Sequence, residues 1–168
     1  MVKIVHPSNS TLQLANSETG IIQKLPKDLA VSDLTQAFGK IPVSFSWLGI
    51  GIGIISAHKI GGPKGIGALL VRDDIEIEPL ILGGGQEQGM RAGTENVMAI
   101  AGFGAAAEAS VKDLTLGCWE EIAELRDRLE DMIQTESKET LIIGRDNRRL
   151  PNTSCISCLL YTSPSPRD

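Results

Sequence analysis

Aromatic residues are scarce in this 168-residue chain, with two Trp, one Tyr and three Phe, so any core must be aliphatic. Cysteine is scarce too, and odd in number: Cys118, Cys155 and Cys158 make no disulfide framework. That pattern points to a reducing compartment, and the cytoplasm is the expected one. Positive charge is in deficit, since 16 Lys and Arg face 21 Asp and Glu for a formal charge of -5. Such a surface repels a phosphate backbone, so nucleic acid is not an expected partner. No apolar run approaches the roughly 20 residues of a membrane span, and Met1–Pro7 lacks the apolar stretch and cleavage site of a signal peptide. A soluble chain with no membrane partner is expected. What is present, 42% hydrophobic and 22% charged residues, is a globular composition. A domain of this length buries roughly 70% of its unfolded surface.

Along the chain, Thr11–Ala15 alternates apolar and polar and stops at the turn-forming Asn16–Gly20, which predicts a strand and a polar loop. Residues 24–33 hold Pro26 and mixed charges and are too short for a good helix. Glycine and isoleucine alternate over Ile50–Ile55, the pattern of a buried strand with small residues on one side. Ser56–Gly67 packs glycines and Pro63 together and predicts a loop rather than a helix; Ala68–Val71 follows as a short strand and Gly83–Gly93 as a second loop. Asn96–Val111, rich in Ala, Met and Ile, predicts a buried or half-buried helix. In 119–133 the residues Trp119, Ile122, Leu125, Leu129, Met132 and Ile133 recur at three- and four-residue intervals, the mark of an amphipathic helix whose charged face, with Glu121, Glu124 and Arg128, is solvated. Leu141–Ile143 and Thr153–Ile156 predict short strands about a polar turn. The order of elements indicates an α/β chain.

Lys59 stands just after an apolar strand, inside a glycine-rich turn. An amine beside buried surface is favoured in its neutral, nucleophilic form by desolvation, which suits attack on a carbonyl. Ser56 and His58 flank it with donors of the kind that hold a phosphate. Read alone, the turn fits two solvated lysines, Lys59 and Lys64, better, because neither a GxxxxGK nor a GxGxxG spacing is present. Asp33 and Gln36, read alone, fit a helix start with Asp as its cap. Cys155 and Cys158 have the spacing of half a zinc site, but no second pair accompanies them, so no metal is expected.

Four motifs in order carry more: Ala15-Asn16-Ser17-Glu18-Thr19-Gly20, Asp33-Leu34-Thr35-Gln36, Ser56-Ala57-His58-Lys59, and Gly83-Gly84-Gly85 through Arg91-Ala92-Gly93-Thr94-Glu95-Asn96. Together they resemble the cysteine desulfurases, pyridoxal 5'-phosphate (PLP) enzymes of the class V aminotransferase group, over about residues 11 to 157. The resemblance implies that Lys59 is the Schiff-base lysine and proton carrier. It further implies that Asp33 pairs with the cofactor's pyridinium nitrogen, that Gln36 bonds its phenolic oxygen, and that Ser56 and His58 bind its phosphate. Thr94 would reach the phosphate of a second subunit, which implies a homodimer; as a helix N-cap it would serve equally well. Arg91 is expected to be structural.

Departures accompany the matches. Ser17 stands where the family usually has a cofactor-touching Asn, Val31 where a His is usual, and the segment between Gln23 and Asp33 is about nine residues shorter than the family's. The resemblance places the family's ring-stacking residue before Met1, and its sulfur-accepting cysteine and carboxylate-binding arginine beyond the end of this chain. The implied fold is a partial large domain of a fold-type I PLP enzyme, α/β with a mostly parallel sheet flanked by helices, over 1–112, with the beginning of a smaller C-terminal α+β domain over 113–157. Residues 158–168 differ in composition, resemble one reading frame of a sequencing adapter, and are expected to be a non-native tail. Exposed apolar faces and poor solubility are expected of such a piece. The implied activity is conversion of L-cysteine to L-alanine, with a persulfide handed to a sulfur-acceptor or scaffold protein for iron-sulfur cluster assembly or thiolation, and a chain of this extent is expected to be inactive alone. A selenocysteine lyase, another class V enzyme and a non-catalytic phosphate-binding module are the alternatives.

Overall fold

The computed structural model describes residues 4–158. One sheet holds four strands in chain order: β1 (Thr11–Gln13), β2 (Val31–Asp33), β3 (Ile52–Ser56) and β4 (Gly67–Val71). The first three run parallel, with Leu12 opposite Ser32 and Ser32 opposite Gly53; β4 returns antiparallel, with Ser56 opposite Gly67. A single turn of helix, α1 (Phe45–Leu48), precedes β3. Two long helices follow, α2 (Val97–Leu116) and α3 (Cys118–Glu136), and then an antiparallel pair, β5 (Thr140–Ile143) and β6 (Cys155–Cys158). Among the described residues no helix is long and apolar enough to cross a membrane.

The core is aliphatic, as the shortage of aromatics requires. Leu14, Leu29, Leu34, Ile50 and Ile55 pack with Leu150, which arrives from the C-terminal part of the chain. Gly53 keeps β3 close to its neighbours: a Cβ there would lie 2.9 Å from Leu34 Cδ1 and 3.3 Å from the Phe45 ring. Small residues on one side of β3 therefore admit the covering layer to the strand itself.

Three expectations change. Val31–Asp33 is a strand, although its three residues carry no period of their own; pairing with β1 on one side and β3 on the other holds it. The start of the glycine-rich stretch is not all loop, since Ala57–Ile60 forms a 3-10 turn ended by Gly61 at φ 82°. And α2 is far less buried than its composition suggests: Ala99 and Ser110 are buried, whereas Val97, Met98, Ile100, Val111 and Leu116 are exposed, because the contacts α2 makes fall on only one side of it. This helix spans residues 112 and 113, and the chain turns at Gly117, whose φ of 76° ends α2 and admits α3. Cys158 closes β6 opposite Thr140, and the rest of the expected tail lies outside the described residues.

The C-terminal part is fastened by charge. Glu130 on α3 and Arg149 are 1% and 9% exposed and meet in a two-pronged pair, Nη1 to Oε1 and Nη2 to Oε2, each at 2.8 Å. Ser154 donates to the same carboxylate at 2.6 Å. Arg149 hydrogen bonding, its largest influence, holds the Glu130 carboxyl below the usual range against the opposing effect of burial. The segment so fixed reaches the sheet: the Ile22 amide donates to Arg148 O and the Leu150 amide to Gly20 O, both at 2.8 Å.

Candidate functional site

Parallel strands bring their carboxyl ends to one edge of a sheet, and in open α/β sheets that edge is where ligands bind. Here β1, β2 and β3 lead to the Asn16 turn, to Asp33–Gln36 and to Ser56–Lys59. Five of the residues expected to act together, Asp33, Gln36, Ser56, His58 and Lys59, thus follow adjacent strands at the same edge. A depression of about 340 Å³ lined by Phe45, Gly49, Ile50, Val71 and Arg72 opens at the other end of β3, away from these side chains.

Asp33 ends β2 and is exposed. Its Oδ1 accepts the Thr35 amide at 2.8 Å, which turns the chain toward Gln36 and leaves Oδ2 without a hydrogen bond among the described residues. This is a local turn rather than the helix start that Asp33 alone suggested. Beyond β3, the 3-10 turn presents His58 and Lys59, both exposed, and sets the Ser56 Oγ 2.9 Å from His58 Nδ1. A hydroxyl and an imidazole thus sit side by side, next in sequence to the Lys59 side chain.

Ser17 lies after β1 in a turn built by Asn16, whose Oδ1 accepts the Glu18 and Thr19 amides at 3.0 and 2.9 Å. The Ser17 hydroxyl donates to Glu18 Oε1 at 3.1 Å and is exposed. Thr94 is exposed in the loop before α2. It is not the cap of that helix: Asn96 fills the position, its Oδ1 accepting the Ala99 amide at 3.1 Å. Arg91 donates to the Ala92 carbonyl at 2.9 Å.

One residue at this edge escaped the sequence reading. Lys40 is only 7% exposed and donates from Nζ to Gln36 Oε1 at 3.3 Å. Burial, aided by the neighbouring Lys59, pushes its ammonium pKa down. The only signal in the sequence was its place four residues after Gln36.

The family model for aminotransferase class V matches residues 1–163. The chain belongs to that family. The chain is 40% identical over 152 residues to a cysteine desulfurase of Enterobacter agglomerans, a match that takes in 85% of this chain and 37% of the relative. It is also 40% identical to cysteine desulfurase IscS 1 of Archaeoglobus fulgidus, over 84% of this chain and 39% of that protein. Among solved structures it is similar to a NifS-like protein from Rickettsia africae, with a TM-score of 0.80 and 37% identity over 88% of this chain and 43% of the other. The class V chain therefore spans less than half the length of these proteins, and its sheet flanked by helices is a partial fold-type I α/β domain.

Proposed function

We propose that this chain carries the cofactor-holding part of a PLP-dependent cysteine desulfurase. The observation that carries the reading is the set of groups at the carboxyl ends of two adjacent parallel strands, β2 and β3: a carboxylate at the first, and an amine with a hydroxyl beside an imidazole at the second. PLP has an aldehyde, a basic ring nitrogen and a phosphate, and the donor set answers each with a group of the right chemistry. Bound there, PLP supplies a carbonyl for covalent attachment and a ring that withdraws electrons from the substrate.

The chain's own residues do the rest. Lys59 offers its Nζ as the attaching amine and as the proton carrier at the substrate carbon. Asp33, with Oδ2 unbonded among the described residues, takes the proton-bearing ring nitrogen, and Gln36 the ring oxygen. Ser56 and His58 hold the phosphate. Ser17, shorter than the usual Asn, turns its hydroxyl to Glu18 and contributes least to cofactor affinity. Thr94, exposed in the loop before α2, serves the phosphate of a second subunit, so the working form is a homodimer. The substrate is L-cysteine, in keeping with the activity of the named relatives; L-alanine is released, and the sulfur passes as a persulfide to an acceptor or scaffold protein of iron-sulfur cluster assembly or thiolation.

The test is borohydride reduction of the chain incubated with PLP, followed by peptide mass mapping. A pyridoxyl adduct concentrated on the Lys59 peptide, and lost in Lys59→Ala, is expected. Adducts spread evenly over the surface lysines, unchanged by Lys59→Ala, would sink the reading.

A further inference from the structure

Lys40 is a buried cation that makes no salt bridge to a carboxylate among the described residues. Burying an ammonium without a carboxylate is costly, so such a residue persists where its charge or its donors are used. Its placement is built in. Gly39, in the left-handed region at φ 76°, is pressed between two elements: a Cβ there would lie 2.7 Å from Ile60 Cγ2 and 2.9 Å from Ser110 Oγ of α2. Only glycine meets both demands, and it seats the 36–40 turn against the residue that follows Lys59.

We propose that Lys40 is a positioning residue that fixes the Gln36 side-chain amide with its carbonyl inward and its NH₂ toward the cofactor site, an inference that rests on the PLP reading for the identity of the group Gln36 meets. An ammonium has three donors and no acceptor, so it can bind only the oxygen end of an amide. With Oε1 held by Lys40 at 3.3 Å, the two donors on Nε2 are left for an acceptor on the other side. An ionised ring oxygen is such an acceptor, whereas an unrestrained Gln36 would present either end to it. Nζ bonds Gln36 on its own turn and feels the charge of Lys59 on the next; Ser110 of α2, which faces Gly39, gives its hydroxyl to the Ala106 carbonyl at 2.9 Å.

Two arms test this. Without cofactor, the Gln36 side-chain amide NMR resonances are followed while Lys40 titrates. They should shift with Lys40, at a pH below the ordinary lysine range, and stay still in Lys40→Met; resonances that ignore the Lys40 titration would overturn the proposal. With PLP, affinity and the cofactor absorption maximum are compared for Lys40→Met, Lys40→Arg, Gln36→Ala and the Gln36→Ala/Lys40→Met double variant. Loss of a charge-assisted hydrogen bond corresponds to about a tenfold weaker affinity. Lys40→Met should show it together with a displaced band, Lys40→Arg should restore both, and the double variant should be no worse than Gln36→Ala. Additive losses, or a Lys40→Met chain that binds PLP as the wild type does, would count against the role. Coupled Gln36 and Lys40 resonances in a chain that takes up no PLP would leave the positioning intact and remove the cofactor reading instead.

Discussion

The Glu130–Arg149 cluster and the Lys59 edge of the sheet solve opposite problems with charge. In the first, both ions are buried and each carboxylate oxygen has its donors, Arg149 on both and Ser154 on one. In the second, Asp33, His58 and Lys59 are exposed and hold few partners. The first fastens the C-terminal segment; the second keeps its bonding capacity for something else. Stability and binding are thus assigned to different charges, and a change at one should leave the other alone.

The sharpest way to break this division is Arg149→Met. Removing one partner of a buried ion pair costs about 3–5 kcal/mol because the other charge stays buried unpaired. Urea unfolding should show a loss of that order. Acid should act on the same cluster more gradually. Glu130 has its folded pKa lowered, so its contribution is complete above the unfolded glutamate range and fades as pH falls through the folded value. Chemical denaturation from neutral to acid pH should lose stability in the wild type and less of it in Arg149→Met; parallel curves would show that the pair is not the group being titrated. The smallest effect belongs to the other region: His58→Ala, at an exposed position, should move stability by no more than about 0.5 kcal/mol while weakening PLP uptake. A larger change would mean that the sheet edge is held together by its site residues.

The sequence made some of this plain. The spacing of Trp119 to Ile133 marks α3, which runs Cys118–Glu136, and glycine alternating with isoleucine marks β3. The motif order pointed to the residues that follow β2 and β3 at one edge. Other features left no local trace. β2 is too short to show a period and exists through its neighbours. Lys40 and Glu130 look like any solvated charges in a sequence, because their burial is decided by what the fold brings: the Gly39 turn packed on Ile60 and α2 for one, Arg149 and Ser154 for the other. The apolar residues of α2 misled in the opposite sense, since a pattern records what a face could bury and not what packs on it.

The ties from Ile22 to Arg148 and from Gly20 to Leu150 also set an order of assembly. The sheet pairs segments that are near in sequence, whereas these bonds join the loop after β1 to a segment synthesised far later. Closing so long a loop costs entropy before the packing of Leu150 in the core can offset it, which places it late in folding. The turn bearing Ser17 precedes the other site residues of this chain and is yet the last to be latched, and the amide protons of Ile22 and Leu150 are the ones whose slowing exchange would time that event.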